Sequence, residues 1–345
     1  MSPRTTYDGF RATIKAVGTG PRGSRPLTFE EARDAAAAML RGDVPDAQAG
    51  AFLIAMRLKG ETPQELAGLA QALRDAATPL STESSRPLVV CAGSFDGVSE
   101  SPSLSLAAAA VAAACGAGVI LACGDTLGPK YGVTIADVLA ELGGPREPSP
   151  QQSRDLLERT GVTLVHAGVT IAGWRRLAEV RDAVGLRGPF HSAEKLVNWF
   201  GATAFIVGHA HGHYAERLTG ALTSLGAERA VAVRGIEGQD VLRPGRPVAI
   251  DNGSQLDLPE HLGASIRGLA SSEQSAQITR DLLGGGGDEL LRYTVELNAG
   301  LRLYATGIVD QPDQGIALAA SAITDGSALA TLEALAGRRT PDPVS

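Results

Sequence analysis

From Leu88 onward the chain alternates short apolar runs with helical patterns, and this alternation limits the architecture more than any other feature. Leu88-Val89-Val90-Cys91, Val119-Ile120-Leu121, Val162-Thr163-Leu164-Val165, Ala204-Phe205-Ile206-Val207 and Ala230-Val231-Ala232-Val233 lack the polar alternation of a half-exposed strand. Runs of that kind belong to strands buried on both faces. The stretches between them, for example 107–115, 135–142, 150–159 and 214–225, carry helical periodicity. Strand and helix in alternation predict a mostly parallel sheet covered on both sides. Ligands of such sheets bind beyond the carboxyl ends of the strands, so the loops starting at Ala92, Cys123, His209 and Arg234 are the places to look.

Residues 10–80 read differently, as consecutive helices. Thr28 with Glu31, and Thr62 with Glu65, have the spacing of a capping box. Pro45 suits a first helical position, and Phe52, Leu53, Met56 and Leu58 supply an apolar face before Gly60. Helices this short need partners to persist. The polar segment 81–87 reads as a linker. The expected organisation is a helical domain over 1–84, completed by helices from about 168–200. An α/β domain follows over 85–167 and 201–336, with a disordered tail at 337–345.

Composition removes several classes. With 44% hydrophobic and 20% charged residues the chain can bury a core, which excludes a disordered polypeptide. A net charge of −7, with Lys15, Lys59, Lys130 and Lys195 the only lysines, excludes a generically basic nucleic-acid binder. The run 104–123 approaches membrane length, but Gly116 and Gly118 break it. A buried helix followed by a buried strand accounts for it, and no membrane association is expected. Cys91, Cys115 and Cys123 form no CxxC pair, and the N-terminus lacks a signal-peptide stretch, so a cytoplasmic, reduced protein is expected.

The local sequence resembles anthranilate phosphoribosyltransferase and the family-three glycosyltransferases around it. Gly42-Asp43-Val44-Pro45 and Ala55-Met56-Arg57-Leu58-Lys59-Gly60-Glu61-Thr62 are similar to that family's opening helical domain. Ala136-Asp137-Val138-Leu139-Ala140-Glu141-Leu142-Gly143 resembles its next recognisable helix. Val180-Arg181-Asp182-Ala183-Val184-Gly185-Leu186-Arg187 resembles the stretch that contributes a substrate-contacting arginine. The resemblance spans roughly 10–330. It implies the nucleoside phosphorylase/phosphoribosyltransferase-like fold of that family: a small helical domain beside a large, mostly parallel α/β domain, dimerising through the helices. The activity it implies is transfer of phosphoribosyl from phosphoribosyl pyrophosphate to a small aromatic or amine acceptor, as in tryptophan biosynthesis, with Mg²⁺ on the pyrophosphate.

The departures from that family fall on its chemistry. The glycine-rich cradle Gly-Thr-Gly-Gly-Asp-Gly appears as Ala92-Gly93-Ser94-Phe95-Asp96-Gly97, so only Asp96 and Gly97 match in place. The second loop, Lys-His-Gly-Asn-Arg, is Ala122-Cys123-Gly124-Asp125-Thr126, which loses both cations. The metal-holding Asp-Glu pair is Asp240-Val241, with Glu237 the nearest substitute. The resemblance therefore offers Gly93, Ser94, Asp96, Gly97, Gly124 and Lys130 for a donor phosphate, against their reading as ordinary turn residues. Glu237 and Asp240 are offered for Mg²⁺, against a solvated turn. Arg187, with His191 and His211, is offered for an anionic acceptor, because a guanidinium pairs with carboxylate or phosphate through two hydrogen bonds. His209, His211 and His213 form an HxHxH array able to present imidazoles to a metal, or simply a loop. No catalytic residue can be named.

A further branch of the family is closer still. It carries an N-terminal pattern like Ile14-Lys15-Ala16-Val17-Gly18-Thr19-Gly20 and a stretch like His191-Ser192-Ala193-Glu194-Lys195-Leu196. That branch has lost the transferase signatures, and some members bind nucleic acid as dimers. Three functions are therefore expected to compete: a divergent phosphoribosyltransferase-like enzyme, a catalytically silent dimer that binds nucleic acid through an arginine-lined groove, and some other small-molecule binder or altered glycosyl transfer.

Overall fold

The computed structural model describes residues 7–261, 265–268 and 270–337; the expected disordered tail lies outside them except for Gly337. Four helices open the chain: α1 (Phe10–Gly18), α2 (Phe29–Arg41), α3 (Asp46–Lys59) and α4 (Pro63–Asp75). The Thr28 and Thr62 hydroxyls accept the backbone N–H of Glu31 and Glu65, whose carboxylates return the bond, so both capping boxes form. Glu65 is buried and also accepts from the Leu27 N–H at 2.8 Å and the Lys59 ammonium at 2.7 Å. One carboxylate thus joins α2's entry, α3's end and α4's start.

The remaining elements alternate: β1 (Leu88–Ala92), α5 (Ser105–Ala114), β2 (Gly118–Cys123), α6 (Ile135–Leu142), α7 (Pro150–Thr160) and β3 (Val162–His166). Then come α8 (Ala167–Thr170), α9 (Trp174–Val184), α10 (Phe190–Ala193), β4 (Ala204–His209), α11 (Tyr214–Ser224), β5 (Arg229–Arg234), β6 (Ala249–Asp251) and β7 (Ser254–Gln255). Helices α12 (Ser272–Leu283), α13 (Glu289–Ala305), α14 (Pro312–Thr324) and α15 (Ser327–Leu335) finish the described chain. The strands form one sheet in the order β3-β2-β1-β4-β5-β6-β7. Pairing is parallel from β3 through β5 and antiparallel at β6 and β7.

Alternate strand residues feed two cores. Val89, Cys91, Val119 and Leu121 join the core built with α5, α6 and α12–α15. Val90, Ala92, Ile120 and Ala122 join the core shared with α2–α4 and α11. The apolar run 104–123 is the buried helix α5 followed by the buried strand β2. Among the described residues no single helix is long and apolar enough to cross a membrane.

The chain leaves the sheet after β3 and returns only at β4. In between, α9 packs on α2 and α3, and α10 packs on α4. The strand order therefore reverses at β1, with β2 and β3 on one side and β4 and β5 on the other. A crevice opens at the carboxyl ends where neighbouring connections diverge.

Helices α2 and α4 approach closely at Gly68, where a Cβ would meet the Phe29 carbonyl at 2.3 Å and the Ala32 Cβ at 3.0 Å. Gly68→Ala should destabilise the protein by about 1–3 kcal/mol through overpacking. Gly50 lies inside α3, where a Cβ meets only a Val184 methyl at 3.4 Å. Gly50→Ala should therefore be neutral or stabilising through helix propensity. Urea unfolding of the two variants checks the contrast.

Candidate functional site

The loop after β1 is closed by its own side chains. Phe95 is buried, with its ring 5.8 Å from that of Trp174. A Cβ on Gly124 would lie 2.8 Å from the Phe95 ring, so the glycine of the second loop makes room for this phenyl group. The Gln239 amide donates to the carbonyls of Ser94 and Gly97 at 3.0 Å each and packs against Gly93. Gly97, at φ +77°, lies where a Cβ would come within 2.6 Å of the Gly132–Val133 backbone. The space left between the two loops is about 10 Å³, room for no more than one water. Gly93, Gly97 and Gly124, expected as an open phosphate cradle, thus sit at points of close chain packing. Lys130 is committed too: it donates to the Gly97 carbonyl at 2.9 Å and pairs with Glu237 at 3.2 Å.

The expected Mg²⁺ ligands are likewise engaged. Each Glu237 oxygen accepts two hydrogen bonds, from the N–H and hydroxyl of Ser99 and from the Glu100 N–H and Ser101 hydroxyl. Burial opposes ionisation, yet the Ser99 and Glu100 N–H groups, the Ser101 hydroxyl and Lys130 pull this carboxyl down to about 2. Asp240 is 0% exposed and accepts from the Ser105 hydroxyl at 2.6 Å and Arg302 of α13 at 2.5 Å. Arg302 is itself fully buried. Glu237 thus clamps a loop, and Asp240, expected beside it as a metal ligand, is half of a core ion pair. Of their four oxygens only the fully buried Asp240 Oδ1 lacks a partner, so they are a poor fit to a Mg²⁺ ion, which needs several free oxygen ligands.

What remains open is a cleft of about 530 Å³ at the switch point, between the ends of β1 and β4 and the segment joining α9 to α10. Ser94, Arg187, His191 and His211 line it, together with Lys195, Glu61, His209 and Arg57. Lys195, buried, reaches the Ser94 hydroxyl at 3.3 Å and the Gly208 carbonyl at 2.8 Å. Burial pulls its ammonium down to about 8, against the attraction of Glu194 and Asp96. Arg187 donates through Nε, at 2.9 Å, and through Nη2 to one oxygen of buried Asp96, tying the first loop to the helices across the cleft. Asp96, expected beside a donor phosphate, is thus engaged with Arg187.

Two imidazoles complete the cleft. His191 Nδ1 accepts the Gly188 N–H at 3.1 Å, which assigns the proton to Nε2, a buried donor with no protein partner. His209 Nδ1 lies 3.1 Å from the His211 carbonyl, which assigns the proton to Nδ1 and leaves Nε2 a buried, unpartnered acceptor. Burial drives both toward the neutral form, His191 down to about 2 and His209 to about 4, with nearby cations adding to the effect. His211 is exposed at the rim, stacked on His213 with ring centroids 6.0 Å apart. Among the described residues the three histidines form no metal-binding group. Glu61, buried, accepts from the Tyr214 hydroxyl at 3.1 Å, and burial raises its pKa. Nothing in the sequence singled out Glu61, which sits beside a helix cap and enters the cleft only through α3's direction. Arg176 and Arg181 do not line the cleft; they pair with Asp46 at 3.1 Å and buried Glu194 at 2.7 Å.

Because Asp240 belongs to a core pair, its loss should act on stability. Asp240→Ala leaves the Arg302 charge buried and unpaired, and should cost about 3–5 kcal/mol. The double change Asp240→Leu with Arg302→Met should recover part of that loss, since an apolar pair can replace a buried ion pair. Urea unfolding of the single and double variants measures both.

Two family models match the chain. One describes a glycosyl transferase family helical bundle domain, over residues 11–77, and the other a glycosyl transferase family a/b domain, over 96–329. An anthranilate phosphoribosyltransferase from Thermus thermophilus is 33% identical over 314 residues, covering 89% of this chain and 94% of the relative. The Streptomyces coelicolor protein named anthranilate phosphoribosyltransferase 2 is 33% identical over 320 residues, covering 90% and 94%. The crystal structure of the Thermus thermophilus enzyme superposes with a TM-score of 0.81 at 32% identity, covering 91% of this chain and 96% of that one. The Saccharomyces cerevisiae enzyme in complex with PRPP and Mg shares the fold, with a TM-score of 0.79 at 18% identity over 95% and 97%. In fold and in sequence, this chain belongs to the glycosyl transferase family that contains the anthranilate phosphoribosyltransferases, and is an anthranilate phosphoribosyltransferase-like member of it.

Proposed function

We propose that this protein binds a small phosphorylated anion, of sugar-phosphate size, in the interdomain cleft, and does so without a Mg²⁺–pyrophosphate group. The observation that carries the reading is Lys195: a buried ammonium in the open cleft, beside the Ser94 hydroxyl, the Arg187 guanidinium and the unpartnered His191 N–H. Four such donors suit one phosphate, and a cleft of about 530 Å³ suits a ligand of that class. The closed loop space of about 10 Å³ leaves no room for a pyrophosphate where the family resemblance puts it. In a pentosyl transfer to an amine, the bare His209 Nε2 is the group suited to take the proton the amine gives up.

Calorimetric titration with ribose 5-phosphate, inorganic phosphate and phosphoribosyl pyrophosphate, each with Mg²⁺ and with EDTA, tests the proposal. Ribose 5-phosphate should bind equally well in both buffers, and Lys195→Ala should weaken it by roughly tenfold or more, as expected for a charged hydrogen bond. Binding that requires Mg²⁺, or phosphoribosyl transfer to anthranilate that requires it, would refute the reading.

The same titration repeated across pH provides a second check. Lys195 is charged below its pKa of about 8 and loses its proton above it, so affinity should fall as pH rises from 7 to 9. His191 and His209, already neutral at pH 7, should add no inflection between pH 6 and 7. Lys195→Met should flatten the profile.

A nucleic-acid reading draws on a different surface. Arg243, Arg246 and Arg267 line a pocket of about 400 Å³ and have no ion-pair partner among the described residues, whereas the net charge of −7 opposes the reading. Affinity for DNA or RNA that falls steeply with salt and flattens in Arg243→Ala would favour it. No binding at low salt would remove it.

A further inference from the structure

A second polar site lies at the carboxyl ends of β2 and β3, among residues that do not line the cleft. His166 is the last residue of β3, in register with Cys123 at the end of β2. It is 0% exposed, and neither ring nitrogen has a hydrogen-bond partner. Buried imidazole nitrogens without partners are uncommon, because each unsatisfied group costs about 1–3 kcal/mol. Nε2 faces Asp125 Oδ1 at 3.9 Å. Asp125 follows β2, and Glu147 lies between α6 and α7. One ligand atom each from Asp125, Glu147 and His166 falls within 4.8 Å of the others, the only such group among the described residues.

We propose that Asp125, Glu147 and His166 form a binding site for a divalent transition-metal ion such as Zn²⁺. One imidazole and two carboxylates are a donor set for this class of metal, whereas Mg²⁺ favours oxygen ligands alone. Donors at about 2.1 Å from a tetrahedral ion stand about 3.4 Å apart, so the three groups need to close by roughly an ångström. Burial pushes the His166 pKa below the ordinary imidazole value, against the pull of Asp125 and Glu147.

Arg175 decides when the site is accessible. Its guanidinium bridges Asp125 at 3.2 Å and Glu147 at 2.7 Å, standing where a cation belongs, and its side chain is 53% exposed. Arg146 holds Glu147 at 3.2 Å and Asp137 at 2.9 Å. A metal ion displaces Arg175 into solvent, and the arginine competes with it for the two carboxylates. The bound ion would tie the ends of β2 and β3 to the α6–α7 connection.

Equilibrium dialysis of tag-free, EDTA-treated full-length protein against ZnCl₂ tests this, with the thermal midpoint as a second readout. Wild type should take up one Zn²⁺ per chain and unfold at a higher temperature when loaded. His166→Gln and Asp125→Asn should each weaken binding by at least about tenfold, and Arg175→Gln should tighten it. Circular dichroism separates loss of a ligand from loss of folding in the buried His166→Gln, and the part-exposed Asp125→Asn provides an independent reading. Wild type that binds no Zn²⁺ at micromolar concentration overturns the proposal. So does binding that survives both ligand variants, or binding lost with His213→Ala, which would move the metal to the histidine-rich loop.

Discussion

The buried parallel sheet is the constraint on which the rest depends. Parallel neighbours cannot be joined by a tight turn, so every step from one strand to the next requires a crossover long enough to hold a helix. Those crossovers cover both faces, which is why β1–β5 carry apolar residues on each side and feed two separate cores. One crossover, from β3 to β4, is long enough to leave the sheet, lay α9 on α2 and α3, and come back. The reversal of strand order at β1 then opens the crevice between the first loop and the end of β4. Site and architecture have one cause.

Within that frame the two loops of the family resemblance have become structural. Phe95 fills the space between the loops, and Gln239 and Lys130 hold the first loop by donating to the Ser94 and Gly97 carbonyls. The charges there are internally balanced as well: Glu237 against Lys130 and four hydrogen-bond donors, Asp240 against Arg302. Glu237, with both oxygens already accepting two hydrogen bonds, cannot take a metal without breaking them. Polar atoms left without protein partners include Asp96 Oδ1 and Asp240 Oδ1 here, His191 Nε2 and His209 Nε2 in the cleft, and both ring nitrogens of His166 beneath Arg175.

The Asp96–Arg187 pair shows how one contact serves both folding and binding. Asp96 is fully buried, and its Oδ1 has no partner, so the carboxylate depends on the guanidinium. Arg187, on the return segment before α10, is about one-third exposed and keeps part of its fork toward the cleft. The pair fixes the distance between the helical segment and the end of β1. Arg57, donating to the Arg187 carbonyl, steadies the same segment from α3. Lys195 approaches from the same side, and its charge stands against the Glu194–Arg181 pair that anchors the segment beneath it.

The strands β1–β5 and the capped helices α2 and α4 were legible in the sequence, because burial on both faces and capping boxes are local patterns. The β6–β7 hairpin was not, since strands of three and two residues are too short to show a period. The departures Phe95, Asp125 and Val241 could be seen as departures, and Arg187 as a candidate partner for an anion. Their consequences could not, because each depends on a partner distant in the chain. Asp240 is defined by Arg302, Gly124 by Phe95, and His166 by Asp125 and Glu147. Local periodicity and caps thus determine which elements form. Whether a carboxylate is a ligand or a buried ion pair is an energy set by desolvation and by the charge facing it, and only the tertiary structure decides both.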